Sequence, residues 1–582
     1  MTPNALSVAA GIGAPLAAVA WFALLWYGAE VFNGGQRREA ADRLRDTLFL
    51  AVVSSFALAL IGLFEWLACL AVAAALAVFR FRHDRRSPRR ALAHELSPLT
   101  FVLPVAAVTA VTWPGIVRPL LEGDSLGYHL PNAAAWANAH SLWTTTTTYW
   151  WYPPGSELFA SALFLIGGPT VLGLAGFVAL LLLALRIEAF SRHAGLSPWS
   201  AGADAAATVT VPTIGLQGAS LQNDVWLGAW VLECLWALEY ERAALQRALT
   251  ICAIIKPIGI AYGIVFAALG LRGIHGTSVR ARAVLAPFTL FVIWALHVVI
   301  LWRDAVIEPG QSAYPHLQST IILAHGLAGA RTFAQALIGQ GVGAVVLGAT
   351  IIVALFTAKT RKHRYLPLIL AAFFFIEPFG YDNGVPQLAT GMSLRFMIPA
   401  FVIGVVGSLD HVKRWSTPIG LAAAALAVFQ IRSIIGIFWN YAHTHAIVPI
   451  AIAAGILMSV RNKLPTAAVV ALGTAILLYG VRQDVNPVGY YDAWLGSNVA
   501  PSGLYAWLSR TRPQRVVVSE LRGGPVSVVL PGTLVADANS DPCAEARRLR
   551  AVVIVAARSH RNCGRRVFAD AHASVYEPTD SN

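Results

Sequence analysis

The chain has 582 residues, 57% of them hydrophobic and 13% charged, with a mean hydropathy of +0.62. A soluble protein carries about 25% charged residues, so composition excludes a soluble globular chain, as well as a disordered, collagen-like or small disulfide-scaffold protein. The formal net charge of +13 and pI near 9.8 do not mark a nucleic-acid binder, because the basic residues sit in short clusters between apolar blocks, as topology signals do. Nucleic acid is therefore not expected as a partner, whereas a lipid bilayer is. The apolar blocks are uninterrupted, unlike the alternating strands of an outer-membrane barrel.

In chain order these blocks are Leu6–Tyr27, Thr47–Val78, Thr100–Val117, Val171–Leu185, Ala201–Leu216, Val225–Leu238 and Leu249–Leu271. They continue with Leu285–Leu301, Val342–Phe356, Leu366–Phe379, Phe396–Val406, Ile419–Trp439, Ala446–Met458 and Ala467–Tyr479. A span takes about 20 residues, so Thr47–Val78 is either one tilted helix or a hairpin turning near Gly62. About 13 to 15 transmembrane helices are expected, forming an all-α polytopic membrane domain over residues 1–480. Leu249–Leu271 has arginines on both flanks and Lys256 and Pro257 in its middle. Proline removes a backbone donor, so the segment is expected to be a broken or hairpin-like pair.

Basic clusters at Arg37–Arg45, Arg80–Arg90, Arg186–Arg192, Lys359–Arg364, Lys413–Arg414 and Arg461–Lys463 are expected in the cytoplasm. Between Pro119 and Leu185 there is no lysine or arginine, which places the first large polar loop, about 119–168, outside. The amino terminus has no basic residue before its first apolar block, which argues for an outward terminus and against a cleavable signal peptide. From Val481 onward charges, prolines and the β-branched runs Val516–Val518 and Val552–Val555 predict a small soluble α/β domain over 481–582, extracytoplasmic if the last span exits. Cys543 and Cys563 lie in it, either as a disulfide in an oxidising compartment or as free thiols. Cys69, Cys234 and Cys252 are small core residues in apolar segments, and no CxxC metal motif occurs.

The outer loop carries the first chemistry. Glu122 and Asp124 stand just past the end of a span, followed by Tyr128, His129 and Pro131, then Trp136, the run Thr144–Thr148, Tyr149, Trp150, Trp151, Tyr152 and Glu157. A carboxylate here can act as general base toward a hydroxyl, hold a divalent cation against phosphates, or simply cap a helix. The aromatic cluster Trp150, Trp151 and Tyr152 reads as an interfacial belt or as a sugar-stacking wall. His129 can hydrogen-bond a phosphate, assist Asp124, or be a solvated loop histidine. Lys256 lies in an apolar segment, where an ammonium is costly unless paired or watered. Its expected role is in the site, the alternative being pairing with a buried carboxylate such as Glu233 or Glu377. Arg395 is an arginine on the outer side, against the positive-inside bias, and its guanidinium suits bidentate phosphate binding. Asn223 and Asp224 open a span as site residues or as a helix N-cap. Glu65 is expected at a helix turn or polar contact, and Tyr381, Asp382, Asn383 and His316 are weaker outer-loop candidates.

Asp124-Ser-Leu-Gly-Tyr128-His129-Leu-Pro131 followed by Trp136, with Tyr152-Pro153-Pro154 later, resembles the first extracytoplasmic loop of GT-C glycosyltransferases. These are polytopic enzymes such as the protein mannosyltransferases and the aminoarabinose transferase of lipid A. Gln222-Asn223-Asp224 is similar to the second acidic position of that superfamily, Ile255-Lys256-Pro257 to its mid-chain lysine motif, and Arg395-Phe396-Met397-Ile398-Pro399 to its R-[YF]-x-x-P segment. The resemblance covers roughly Thr100 to Leu409. It implies a GT-C-like fold, a polyprenyl-phosphate sugar donor, a glycan, lipid or protein acceptor, and inverting transfer at the outer face of the cytoplasmic membrane for cell-envelope synthesis; scarce lysine with abundant arginine and alanine fits a bacterial source. Asp124 would be the catalytic base, with Glu122, Tyr128, His129, Asn223, Asp224, Lys256 and Arg395 binding substrate. No cofactor is certain; if magnesium or manganese takes part, Glu122, Asp124 and Asp224 are the residues to hold it. His129, the E-x-D spacing and the extra apolar sequence before Val117 depart from the best-known members and leave metal dependence and acceptor open. A multi-pass transporter or lipid-handling protein, with Lys256 and Asp224 lining its path, and an inactive GT-C-like scaffold are the alternatives.

Overall fold

A computed structural model describes residues 3–33, 39–84, 98–117, 119–120, 122–271, 277–303, 305, 326–376, 393–409, 416–438, 487–496, 501–538, 541–557, 559 and 562–578. Ala446–Met458, Ala467–Tyr479, Glu377, Tyr381, Asp382, Asn383 and His316 lie outside the described residues.

The protein is mostly helical, with a small sheet near its carboxyl end. The first helices are α1 (Pro3–Gly28), α2 (Ala40–Leu60), α3 (Trp66–Asp84) and α4 (Pro98–Val117). Thr47–Val78 is thus a hairpin: α2 stops at Ile61, and Gly62 follows at φ +74°, a left-handed conformation that glycine adopts without strain. Glu65 stands at the start of α3, where its carbonyl accepts Cys69 N–H at 2.9 Å.

The segment expected as one outer loop folds into two helices, α5 (Leu130–Ala139) and α6 (Gly155–Gly167), and nearly every residue of α6 is buried. The signal was the apolar run Leu158–Ile166, too short to count as a span. Then come α7 (Gly173–His193), α8 (Pro198–Val209), α9 (Pro212–Gly218) and α10 (Asp224–Glu239). The block Ala201–Leu216 is split between α8 and α9, because Pro212 cannot continue the ladder of α8 but suits the first turn of α9.

The bundle continues with α11 (Leu245–Ile255), α12 (Pro257–Gly270), α13 (Thr277–Trp302), α14 (Gly326–Gly339), α15 (Val342–Thr357), α16 (Arg361–Ile376), α17 (Ile398–Ser408) and α18 (Ser416–Phe438). Among the described residues, Gly13–Phe32, Pro169–His193 and Leu285–Trp302 are long and apolar enough to cross a bilayer alone, and six shorter apolar helices accompany them. This is fewer full-length spans than the apolar blocks suggested, for reasons visible in the helices. Some blocks are broken by proline, and α2 opens with Asp42, Arg43, Arg45 and Asp46. Large apolar side chains nevertheless face outward along the bundle, among them Leu285, Val299, Phe356 and Phe429. Water penalises such a surface and lipid does not, which with the apolar helices makes this an integral membrane protein.

Two groups of buried charges lie along α10. At its carboxyl half, Arg186 donates to Glu233 at 2.7 and 2.8 Å and to Asp42 at 2.6 Å, while Arg45 donates to Asp46 at 2.9 Å and Glu241 at 3.0 Å. Arg45, Arg186 and Glu233 are fully buried, so this network neutralises charges that lipid would otherwise expel. It also uses Glu233, one of the partners considered for Lys256. The second group lies roughly 13 Å back along the helix, around Asp224.

Beyond residue 487 the chain forms α19 (Pro487–Leu495), α20 (Leu504–Thr511), α21 (Gly524–Val529) and α22 (Pro542–Leu549), with five strands, β1 (Arg515–Ser519), β2 (Leu534–Asp537), β3 (Val552–Ala556), β4 (Gly564–Ala569) and β5 (Ala573–Pro578). The sheet order is β2-β1-β3-β5-β4, with β1 parallel to β2 and β3, and β5 antiparallel to β3 and β4. The two valine-rich runs become the central strands β1 and β3, whose side chains are buried on both faces, as parallel strands require. Cys543 and Cys563 are disulfide-bonded, while Cys69, Cys234 and Cys252 are buried free thiols.

Candidate active site

The break between α11 and α12 positions the first cation. Lys256 is extended, at φ −155° and ψ 151°, and Pro257 takes the first position of α12, where its missing N–H leaves nothing unsatisfied. The carbonyl orphaned at Ile255 accepts Asn223 Nδ2–H at 3.2 Å. Asn223 therefore closes the neighbouring helix break and does not cap its own helix with its side chain. Gly259 lets the two half-helices approach: a Cβ there would lie 2.1 Å from the carbonyl oxygen of Cys252.

Four charged groups meet in front of this break. Lys256 Nζ donates to Asp224 Oδ1 at 2.7 Å, Arg395 Nε lies 3.2 Å from Asp224 Oδ2, and Arg395 Nη2 is ion-paired with Asp124. Phe396 lies beneath both cations, with Lys256 Nζ 3.8 Å and Arg395 Cζ 4.9 Å from its ring centre. Asp124, Asp224, Lys256 and Arg395, separated by up to 271 residues, form one charge-balanced quartet. Its two acids are unequal. The Asp224 side chain is 4% exposed and held by both cations, whereas that of Asp124 is 26% exposed and held by one, so Asp124 is the more accessible carboxylate.

Four buried polar atoms around the quartet have no hydrogen-bond partner among the described residues: Arg395 Nε, which only ion-pairs with Asp224, Arg395 Nη1, Gln222 Oε1 and Asn223 Oδ1. An unsatisfied buried guanidinium donor costs more than a neutral one, and a bound anion would satisfy it.

The remaining sequence candidates frame the quartet. Glu122 accepts the backbone N–H groups of Asp124 at 2.9 Å and Ser125 at 2.7 Å, and so starts the π-helical turn Ser125–His129 that leads into α5. Ser125 Oγ in turn accepts Leu221 N–H at 2.9 Å, which ties this turn to the segment ahead of α10. His129 is buried, and its Nδ1 shares a hydrogen bond of 2.6 Å with Glu157, whose other oxygen accepts Ser156 Oγ–H at 2.8 Å. It is therefore not a solvated loop histidine. Tyr128 meets Tyr149 and Tyr152 at ring-centre distances of 4.8 and 5.8 Å, and Trp151 packs on Tyr152 at 4.6 Å, whereas Trp150 is buried. The aromatic run thus contributes a wall next to His129. Glu157, Tyr149 and Phe396 complete the site without having been singled out as functional residues.

Among the described residues no three His, Cys, Asp or Glu side chains gather as a metal site. Of the three residues named for a cation, Glu122 is engaged by backbone N–H groups, and the Arg395 guanidinium lies between Asp124 and Asp224, where it supplies the positive charge both require.

The fold is similar to that of ArnT from Cupriavidus metallidurans. The crystal structure of that protein bound to undecaprenyl phosphate aligns with 81% of this chain and 96% of its own, with a TM-score of 0.49 and 15% sequence identity. Its apo state aligns over the same shares with a TM-score of 0.44, also at 15% identity. No family model and no curated protein matches the sequence.

The carboxyl-terminal region holds the segment that carries Asp124. Tyr491 Oη–H donates to Leu120 O at 3.2 Å, and Arg522 donates to Gly123 O, next to Asp124. The half-buried Asp537 accepts Thr148 N–H at 3.1 Å and Thr148 Oγ–H at 3.0 Å, while its own N–H donates to Thr146 O at 2.9 Å. The threonine run is thus a docking strip. Desolvation pushes the Asp537 carboxyl up to about 6, against the opposing hydrogen bonds from Thr148. At Gly524 the approach is close enough that a Cβ would lie 2.7 Å from Leu126 O.

Proposed function

We propose that the protein is a membrane glycosyltransferase that moves a sugar from a polyprenyl-phosphate donor to a hydroxyl acceptor at the outer face of the cytoplasmic membrane, with inversion. The observation that carries this reading is the buried Arg395 donor without a partner, placed next to Lys256 and beside the more accessible carboxylate of Asp124. The four motifs quoted from the sequence converge here.

In this mechanism the donor phosphate engages Arg395 and Lys256, and Arg395 releases Asp124. The freed carboxylate takes the proton of the acceptor hydroxyl while that oxygen attacks the anomeric carbon. The bond from this carbon to the phosphate oxygen breaks, and the lipid phosphate leaves with the electron pair and one more negative charge. Cations already in place stabilise that charge where it develops, which lowers the barrier rather than merely tightening binding. Asp224 positions both cations, His129 and Glu157 flank the phosphate, and Tyr128, Tyr149 and Tyr152 offer faces to the sugar. The 481–582 region, with its disulfide, belongs on the oxidising side.

The test is release of lipid phosphate when purified protein is given a panel of undecaprenyl-phosphate sugars. Asp124→Asn is expected to lose about 10²–10⁴-fold in transfer, the usual contribution of a general base, with membrane insertion unchanged. Near-normal turnover in that variant would remove Asp124 from the base role, and uptake of substrate without lipid phosphate release would favour a transporter.

A further inference from the structure

We infer that a second site, in a cleft between the end of α5 and the carboxyl-terminal region, binds an oxyanion-bearing saccharide. The inference deepens the proposed transferase by naming its acceptor class, and it rests on that reading for the word acceptor alone. The cleft has a volume of about 460 Å³ and is bordered by Asn138 on one side and by Arg512, Gln514, Arg515, Gly532 and Thr533 on the other. Asn138 Nδ2–H donates to Thr533 O at 3.0 Å and joins the two walls. The volume suits a small saccharide rather than a single ion, since ligand pockets span roughly 300–1,000 Å³.

The charge of the cleft is one-sided. No carboxylate lines it, and among the described residues neither Arg512 nor Arg515 has a carboxylate partner. Both are exposed, yet each is anchored at one point: Arg512 Nε donates to Ser509 O at 3.4 Å, and Arg515 Nη1 donates to Leu549 O at 2.8 Å. The remaining N–H groups are left for a ligand. Two planar guanidiniums on one wall favour phosphate, sulfate or carboxylate oxygens, while the amides of Asn138 and Gln514 offer hydrogen bonds suited to sugar hydroxyls. The cleft also lies at the far end of the helix whose first turns follow Asp124. A saccharide held there by its charged group would belong to the same outer face as the quartet.

The test uses the full chain in uncharged detergent, titrated calorimetrically with sucrose octasulfate, trigalacturonate, mannose 6-phosphate, inorganic phosphate and neutral sucrose. Arg512 has φ +46°, so Asn, which tolerates that conformation, is the substitution there, paired with Arg515→Gln. The anionic saccharides are expected to bind more tightly than inorganic phosphate or sucrose, and the R512N/R515Q variant to lose about tenfold or more in affinity at an unchanged unfolding midpoint. The R547Q/R548Q variant, on another helix of the same region, is expected to retain the affinity. Trigalacturonate and mannose 6-phosphate separate carboxylate from phosphate as the favoured group. Equal binding of sucrose, unchanged affinity in R512N/R515Q, or an equal loss in R547Q/R548Q would overturn the inference. Binding is read without turnover, so failure of the transferase reading would show separately, as no lipid phosphate released from any donor.

Discussion

Arg395 holds two carboxylates of different character, and the difference is testable. Asp224 is almost wholly buried and is the counter-charge for both Arg395 and Lys256, so its removal leaves two cations in an apolar bundle with one acid between them. Breaking a buried pair in this way costs roughly 3–5 kcal/mol. Asp224→Asn is therefore expected to lower the unfolding midpoint in detergent by much more than Asp124→Asn, whose side chain reaches solvent. Equal midpoints in the two variants would show that the quartet does not depend on Asp224. The sequence made all four members legible, because an ammonium, a guanidinium and an acid near apolar segments are costly unless they act or pair. It did not show that they pair with one another. His129 was legible only as a residue type; its burial against Glu157 depends on how α6 returns beneath α5.

At the scale of the element, the broken helix around Lys256 is the device that aims the site. Proline predicted the break, since it ends one ladder and starts the next, but the neighbours that satisfy it, Asn223 and Gly259, come from tertiary contact and from backbone approach. Gly259→Ala would drive a Cβ into Cys252 O, and overpacking of this kind costs about 1–3 kcal/mol. The expected outcome is weaker donor binding together with a lower unfolding midpoint, measured by lipid phosphate titration and by thermal unfolding. Wild-type donor affinity in this variant would show that Lys256 does not depend on the close approach of the half-helices. The hairpin at Gly62 and the central strands of the sheet were readable from glycine and from β-branched runs. β2, β4 and β5 were not, because short mixed-polarity strands are defined by the partner they join rather than by their own pattern.

Across the whole molecule, the carboxyl-terminal region clasps the segment that carries Asp124 through Leu120, Gly123, Thr146 and Thr148. Asp537 in this clasp makes stability depend on pH. Its folded pKa, about 6, lies above the ordinary value of 3.8, so between these two values the folded state binds more protons than the unfolded one. This contribution therefore falls as pH rises through that window and is constant above it. Asp537→Asn retains an acceptor for Thr148 without the charge. It is expected to flatten the slope of the unfolding midpoint between about pH 4 and 6 and to raise the midpoint at pH 7.5. An unaltered slope would mean that Asp537 is not desolvated in the docked state.

Composition and hydropathy by themselves determined that the chain lives in a bilayer, that the segment around Lys256 and Pro257 breaks, and which ionisable residues are too costly to be incidental. Those are consequences of solvent transfer and backbone geometry, which act residue by residue. Only the tertiary structure decided that Asp124, Asp224, Lys256 and Arg395 neutralise each other at one point, that Glu122 starts a helix, and that a threonine run is a docking strip. Such roles depend on distances between groups hundreds of residues apart, and no local pattern encodes a distance.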